Sequence, residues 1–305
     1  MSPKPGFVLF KFTQLIKILK FMKTIKLLSA IFIFAIAFTS CTFDDKEIDP
    51  AVEAFNNADQ ANGGILYDKF WAEESDFDQA NPVKATVNAK ADFFRCKQCH
   101  GWDGLGNKGA YINRAPKTSR PNISGLNLFE MGQTKSAQEL FDDLSKTSGR
   151  RSIATDLSTY DPATNNTEGD KMPNLTELLT DAQIWDLVKF MKEGMMDVRE
   201  LYDATYTGTY PTGSMAISNV GKNGNATNGK NYYNSNCASC HGATGTTLVL
   251  EGMTAGKFTR TKANEVQHKV HYGQLGSSMK GAFSITTAQM KDLYKALANE
   301  TDFPN

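Results

Sequence analysis

The clearest pattern of hydrophobic and polar positions is an eleven-residue segment that occurs twice. Residues 179–189 and 285–295 share six identities. In both, apolar side chains recur at i, i+3, i+4 and i+7, which is the spacing of one helix face. The apolar positions are Ile184, Leu187, Val188, Met191 and Met290, Leu293, Tyr294, Leu297. Thr180 with Gln183 and Thr286 with Gln289 have the spacing of a capping box. We therefore predict that one helix is used twice, once in each of two tandem halves.

The N-terminal residues have the pattern of an export signal. Residues 27–38 are an apolar run that follows Lys23 and Lys26, and the run is too short to span a bilayer. The small residues before Cys41 resemble the lipobox of bacterial lipoproteins, in which the cysteine is acylated and becomes the N-terminus. We therefore predict a lipoprotein signal peptide over residues 1–40 and a membrane anchor at the lipidated Cys41.

Two polar stretches divide the rest of the chain. Residues 41–60 are acidic and polar, and residues 203–228 are rich in Gly, Thr and Asn and nearly free of charge. Such compositions are typical of tethers and linkers. The sequence thus predicts an acidic tether over 41–60, a first domain over 61–202, a linker over 203–228 and a second domain over 229–305.

The charge balance argues against a nucleic-acid partner. The chain has 33 basic and 33 acidic side chains, and its first 40 residues contain six lysines and no acidic residue. The mature protein is therefore acidic, whereas binding to a polyanion needs a basic surface that displaces counterions.

The four cysteines beyond Cys41 lie in two Cys-x-x-Cys-His pentapeptides, residues 96–100 and 237–241. This is the attachment signature of c-type haem. Two thiols on one turn add across the two vinyl groups of a single porphyrin, and the adjacent imidazole reaches the iron. A redox dithiol or a zinc site does not explain a histidine after both pairs. The predicted haem-attaching thiols are Cys96, Cys99, Cys237 and Cys240, and the predicted iron ligands in these motifs are His100 and His241.

Each half resembles a class I c-type cytochrome domain, a family whose domains begin G-x-x-x-[aromatic]-x-x-x-C-x-x-C-H-G. Gly229 and Tyr233 match this start in the second half. In the first half Asn88 stands at the position of the glycine, and Gly63 with Tyr67 offers an earlier match. The resemblance covers nearly all of the chain after the predicted tether. It implies an all-α fold of two tandem cytochrome c domains, each a few short helices around a covalently attached haem. It also implies that the repeated helix crosses the helix that leads into each pentapeptide.

The resemblance further implies a sulfur ligand to each iron from a loop upstream of the repeated helix. Met172 holds that place in the first half, and Pro173 follows it as in the family. Met279 holds it in the second half, where no proline follows.

Histidine is the alternative ligand for the second haem. His268 and His271 fall on a short predicted helix, residues 261–272, ended by Gly273. If its apolar positions face inward, His268 points to water and His271 lies at the margin. We therefore expect solvated histidines and keep His271 as the alternative to Met279.

Four arginines lie in the two longer loops of the first half. An arginine beside a haem propionate would form a charge-assisted hydrogen bond. For each of the four arginines taken singly, we expect a position in a solvated loop. They are Arg114, Arg120, Arg150 and Arg151.

Ligation by His and Met fills both axial positions of the iron, so the resemblance implies an electron carrier with two c-type haems. We expect a membrane-anchored cytochrome that relays electrons between a dehydrogenase or quinol-oxidising complex and a terminal acceptor. The alternative is a dihaem enzyme or subunit, thiosulfate dehydrogenase-like or peroxidase-like, with an exchangeable ligand on the second haem. A redox sensor or scaffold subunit is the third hypothesis. Redox proteins on the periplasmic side are the expected partners, and Thr42 after the cysteine favours the outer membrane.

Overall fold

A computed structural model describes residues 49–70, 82–164 and 167–305. Within these residues the fold is mostly helical and includes one small antiparallel sheet. The predicted helical fold is therefore confirmed, and the prediction of a strictly all-α chain is wrong. The predicted signal peptide, the lipidation at Cys41 and residues 41–48 of the predicted tether lie outside the described residues.

The helices of the first half are α1 (Pro50–Asn57), α2 (Gln60–Lys69), α3 (Pro82–Ala89), α4 (Cys96–His100), α5 (Leu128–Thr134), α6 (Ala137–Ser145) and α7 (Asp181–Lys189). A π-helical segment, Phe190–Gly194, continues α7. The strands β1 (Asp203–Thr207) and β2 (Ser214–Ser218) follow. The helices of the second half are α8 (Ala226–Asn236), α9 (Ala238–His241), α10 (Ala255–Thr261), α11 (Ala263–Tyr272) and α12 (Thr287–Leu297). Single 3-10 turns occur at Ala91–Phe93, Gly106–Lys108, Glu168–Asp170, Leu175–Glu177 and Val198–Glu200.

The predicted repeated helix is confirmed as α7 and α12. Both begin with a complete capping box: the threonine hydroxyl accepts from the glutamine N–H, and the glutamine side chain accepts from the threonine N–H. The apolar positions of both helices are buried. The capping residues and the apolar spacing thus define the same local structure twice.

In the second half α8 crosses α12 at a glycine. A Cβ on Gly229 would lie 1.8 Å from the carbonyl oxygen of Asp292, so only glycine allows this approach. The Asp292 carboxylate accepts from the backbone N–H of Asn225 at 2.6 Å and fixes the start of α8.

In the first half α2, not α3, makes the equivalent crossing. A Cβ on Gly63 would lie 2.0 Å from the carbonyl oxygen of Asp186 in α7. The Asp186 carboxylate accepts from the backbone N–H of Asp59 at 2.6 Å, as Asp292 does in the second half. Gly63 and Tyr67 are therefore the counterparts of Gly229 and Tyr233, and the alignment that places Asn88 there is wrong. In the first half the crossing helix α2 does not lead directly into the pentapeptide, because α3 lies between α2 and α4 in the chain.

Each half has its own hydrophobic core. The first is built around Leu66, Phe93, Ile184 and Val188. The second is built around Tyr233, Met290, Tyr294 and Phe303. Cys96 packs against the first core and Cys237 against the second.

The predicted tether and linker both contain ordered elements. Helix α1 lies in the predicted tether, begins at an Asp49 cap and packs Phe55 against the first core. Strands β1 and β2 lie in the predicted linker and pair with Ala204 opposite Ile217. The Tyr210 hydroxyl in their connection donates to Asn122 Oδ1 at 2.5 Å, which holds the hairpin against the first half.

Helix α11 joins the two halves, which belong to one compact unit over residues 49–305. The Gln267 amide donates to the Trp102 carbonyl at 2.8 Å, and the Tyr272 hydroxyl donates to the Gly194 carbonyl at 2.8 Å. On its other side, the Tyr294 hydroxyl of α12 donates to the Ala263 carbonyl at 2.6 Å.

None of the helices in the described parts of the chain is long and apolar enough to cross a bilayer.

The helix crossing in the second half predicts a steric effect at Gly229. We expect Gly229→Ala to lower the free energy of unfolding by about 1–3 kcal/mol, because the added methyl group meets the Asp292 carbonyl. Asn228→Ala on the exposed neighbouring position is the control and should change stability little. Thermal unfolding followed by circular dichroism tests this, and equal midpoints for the two variants would contradict the crossing.

Candidate functional site

The two Cys-x-x-Cys-His pentapeptides form the same short helix with the same ending. Gly101 caps the C-terminus of α4 and Gly242 caps that of α9, and both glycines have a φ of 78°. The N–H of Gly101 donates to the Lys97 carbonyl, and that of Gly242 donates to the Ala238 carbonyl, both at 2.9 Å. Glycine suits this left-handed position, where a side chain would be strained. Each histidine is thus the last residue of a helical turn, directly before the chain changes direction.

A tyrosine hydroxyl connects each pentapeptide to the helix crossing of its own half. Tyr67 of α2 donates to the Gly101 carbonyl at 2.5 Å. Tyr233 of α8 donates to the Gly242 carbonyl at 2.8 Å. Both tyrosine side chains are buried; the bond of Tyr67 is fully buried and that of Tyr233 is partly buried. The orientation of α4 and α9 is therefore fixed by the helix that crosses α7 or α12.

The four pentapeptide cysteines are free thiols, not disulfides. Burial raises the pKa of Cys96 and that of Cys99 to about 12. For Cys99, the charge of Arg151 lowers the pKa but has a smaller effect than burial. Burial raises the pKa of Cys237 to about 11. A redox-active dithiol needs a lowered pKa, so these environments do not suit one. Unpaired thiols beside apolar side chains do suit attachment of an apolar macrocycle.

Both pentapeptide histidines are suited to ligate a metal as neutral imidazoles. Burial, with a smaller effect of Arg150, lowers the pKa of His100 to about 4, and burial also lowers the pKa of His241. A neutral imidazole keeps the lone pair that a metal ligand needs. Among the described side chains, neither His100 Nδ1 nor His241 Nδ1 has a hydrogen-bond partner although both are buried. The donor set therefore fits a c-type haem in each half.

Met172 lies where the first half can offer a sulfur donor. Its side chain is half-buried and packs against the first core. The Arg151 N–H donates to the Met172 carbonyl at 3.0 Å, and the Asn174 N–H donates to the Arg151 carbonyl at 2.7 Å. These two bonds hold the Met172-Pro173 segment against the residues around Arg151.

Arg151 is buried, with 1% of its surface exposed, so the expectation of a solvated loop is wrong for this residue. Its Nη2 donates to the Phe93 carbonyl at 2.6 Å, whereas Nη1 has no partner among the described residues. Its charge acts on Cys99 and lowers the pKa of that thiol against the larger effect of burial. A buried guanidinium nitrogen without an acceptor fits a haem carboxylate. Arg151 was one of four candidates for a haem propionate, and local patterns did not single it out, because the segments of Arg151 and Met172 meet only in the folded chain.

Met279 lies in a turn rather than in a core. Gly273 and Lys280 form a bridge around it, the Met279 N–H donates to Ser277 Oγ at 3.1 Å, and its side chain is half-buried, like that of Met172. It is absent from the described residues that pack against the second core. The structure thus gives Met279 less support than Met172.

The expected solvation of His268 and His271 is wrong, because both are buried: they are 2% and 4% exposed. The His268 ring lies among aromatic rings, with centroids 4.8 Å from Tyr272 and 5.0 Å from Trp102. His271 stacks on Tyr272 at 4.2 Å, and its Nε2 lies 3.1 Å from the Phe283 carbonyl. Both halves pack against α11, so the face that carries His268, opposite the apolar face of this helix, is also buried.

Two family models match the chain, one in each half. Residues 86–194 match the family described as cytochrome c, and residues 224–295 match the family described as cytochrome C oxidase, cbb3-type, subunit III. The first match includes α4, Met172 and α7, and the second includes α8, α9 and Met279. No curated protein and no solved structure matches the chain. The matches support one domain of the same class in each half.

Burial of His268 predicts a pH dependence of stability. Burial, first among the causes, lowers its pKa from 6.5 to about 3. At pH values between these two, the imidazole is protonated in the unfolded chain and neutral in the folded protein. Stability is then complete above pH 6.5 and falls as the pH falls towards 3. Nearby charges act in both directions, since Asp68 raises the pKa and His271, Lys269 and Lys97 lower it.

Replacement of this side chain tests the assignment. Between pH 6.5 and 5, wild type should lose about 1.6 kcal/mol more than His268→Asn, because the unfolded imidazole goes from half to almost fully protonated and one proton contributes roughly 1.4 kcal/mol per pH unit. Guanidinium unfolding of the purified protein at the two pH values measures the difference. Equal losses in the two proteins would show that His268 is not buried as a neutral ring.

Proposed function

We propose that this chain, a c-type cytochrome with two domains, carries electrons through two covalently bound haems, one in each half. Cytochrome c domains imply haem-based electron transfer. The observation that carries the proposal of two haems is the repetition of one arrangement. In each half a crossing helix donates a tyrosine hydroxyl to the glycine carbonyl after Cys-x-x-Cys-His.

When bound, the haem iron supplies reversible one-electron oxidation and reduction. The chain's own residues supply attachment, ligation and burial. Cys96 and Cys99 hold the first haem and Cys237 and Cys240 the second, each pair through two thioether bonds. His100 and His241 supply the imidazole ligands. The apolar surroundings disfavour the ferric form, which carries more charge than the ferrous form.

Met172 is the proposed sulfur ligand in the first half. Its backbone is held by Arg151, whose unpartnered Nη1 is suited to a haem carboxylate. A thioether favours ferrous iron and raises the reduction potential. Met279 is the proposed ligand in the second half, with His271 as the alternative. The buried His271 Nδ1 has no partner among the described residues, while its Nε2 is close to the Phe283 carbonyl.

The proposed setting is the outer face of a bacterial membrane. The N-terminal pattern supports export and lipidation at Cys41, so that the haem domains face the periplasm or the cell surface. A dehydrogenase or quinol-oxidising complex is the proposed donor, and another redox protein is the acceptor. Small and transient interfaces suit such exchanges.

One observation favours the enzyme alternative for the second half. The Met279 side chain is not among the described residues that pack against the second core. A ligand without such packing could exchange with an external molecule, as a catalytic haem requires. The ligation state of the second iron therefore separates the carrier from the enzyme.

Carbon monoxide tests this difference. The ferrous protein of a carrier should bind little carbon monoxide at neutral pH, and the ferric protein should show two low-spin haems by electron paramagnetic resonance. Rapid formation of a carbon monoxide complex at one haem, or one high-spin ferric signal, would contradict the electron-carrier proposal and favour the enzyme alternative.

Substitution of Met172 tests the first sulfur ligand. Met172→Ala should remove the Met-to-iron charge-transfer band of one haem, which is about half of the total intensity when two haems contribute. The reduction potential of that haem should fall. Met131→Ala, which truncates another methionine packed against the same core, is the control and should leave the band and both potentials unchanged. A full band in Met172→Ala would mean that another residue is the ligand.

A further inference from the structure

A cleft of about 490 Å³ lies where the two halves meet. Lys97 and Trp102 line it from the first half, and Lys262 and Glu265 line it from the second. The cysteines, the pentapeptide histidines and both candidate methionines do not line it. The residues proposed to attach and ligate the haems thus do not line the cleft, although Lys97 directly follows Cys96.

The positive charges of this cleft outnumber the negative charges available to them. Its two carboxylates are already in ion pairs, since Glu251 lies 3.4 Å from Lys262 and Glu265 lies 3.0 Å from Lys269. The other cations of the lining are Lys97, Arg114 and Arg120. In the described parts of the chain, none of these three has a carboxylate within ion-pair distance.

Lys97 is a buried amino group that lines the cleft, and burial, followed by the charge of Arg95, lowers its pKa to about 7. It is 8% exposed, and its Nζ lies 4.0 Å from the centroid of the Trp102 ring. A cation–π contact offsets part of the cost of burying an ammonium group. Asp68 and Glu265 favour the charged form of Lys97 against the larger effect of burial, and an anion in the cleft would favour it further.

Arg114 and Tyr111 present donors that lack acceptors. Arg114 Nη2 donates to Gln98 Oε1, but the buried Arg114 Nε and the buried Tyr111 hydroxyl have no partner among the described residues. Arg120 donates from Nε and Nη2 only to the Ala115 carbonyl, at 2.9 and 2.8 Å. Burial and then the charge of Arg114 lower the pKa of Arg120, whereas Asp92 acts in the opposite direction without forming an ion pair. Buried donors without acceptors are uncommon and call for a ligand that accepts hydrogen bonds.

We propose that the cleft binds a small oxyanion, which accepts hydrogen bonds from Arg114 and Tyr111 and lies near the charge of Lys97. The recognised chemistry is a compact group of negatively charged oxygens, as in sulfate, thiosulfate, phosphate or a carboxylate. The proposed hydrogen-bond donors belong to the first half, and residues of the second half line the other side of the cleft. Binding to the folded protein alone raises its stability. Its charge lies next to the attachment site of the first haem.

Calorimetry on the purified holoprotein tests the proposal. Sodium sulfate, thiosulfate, phosphate and succinate are titrated separately at constant ionic strength, with sodium chloride as the reference. We expect saturable binding of one anion per chain and a rise in the unfolding temperature with at least one of these probes. The preferred probe then identifies whether the ligand is a tetrahedral oxyanion or a carboxylate. Heats no larger than those of chloride for all four probes would overturn the proposal.

Matched charge substitutions locate the site. Arg114→Gln and Lys97→Met should each weaken binding of the preferred probe by at least about tenfold, as expected for loss of a charge-assisted hydrogen bond or of a nearby buried charge. Arg199→Gln removes the same charge from an exposed arginine outside the cleft and should leave the affinity within about twofold. Visible spectra confirm that each variant retains its haem.

Equal weakening by Arg114→Gln and Arg199→Gln, or no weakening by either cleft variant, would overturn the assignment to this cleft. The calorimetric result does not depend on electron transfer. If the protein proves not to transfer electrons, the anion-binding proposal is unaffected. If no anion binds, the proposal of an electron carrier is unaffected.

Discussion

The close crossing of two helices at a glycine is the constraint on which both halves of this molecule depend. Gly63 against Asp186 and Gly229 against Asp292 bring the helix backbones so near that a side chain would be excluded. From that crossing a tyrosine reaches the glycine carbonyl after each Cys-x-x-Cys-His. Helix packing thereby determines where two thiols and an imidazole stand, and that position determines which cofactor the chain can hold.

Much of this arrangement was predictable because it depends on local signals. The capping boxes, the apolar spacing of α7 and α12 and the pentapeptides are each contained in a few neighbouring residues, and each has the local structure expected of it. The second half follows the family pattern most closely because α8 leads directly into its pentapeptide. In the first half, the Gly63–Tyr67 spacing indicated the crossing helix despite its distance from Cys96.

The rest could not be read from local patterns, because it depends on contacts between distant segments. His268 and His271 are buried because α11 packs against both halves, and a helical wheel shows only one apolar face. Arg151 is buried because its backbone pairs with the segment of Met172. The β1–β2 hairpin was missed because its composition resembled a linker. Its Thr, Tyr and Ile residues on either side of a Gly- and Pro-containing turn are a hairpin signal that could have found it.

The most direct test of the central claim is the number of haems attached to the mature polypeptide, measured by mass spectrometry under denaturing conditions. The account predicts a mass increase of two haems in the wild-type protein. It predicts one haem when Cys96 and Cys99 are both replaced by serine, and one when Cys237 and Cys240 are. A wild-type protein that carries a single haem or none after maturation in a competent host would contradict the proposal that both halves hold the same cofactor.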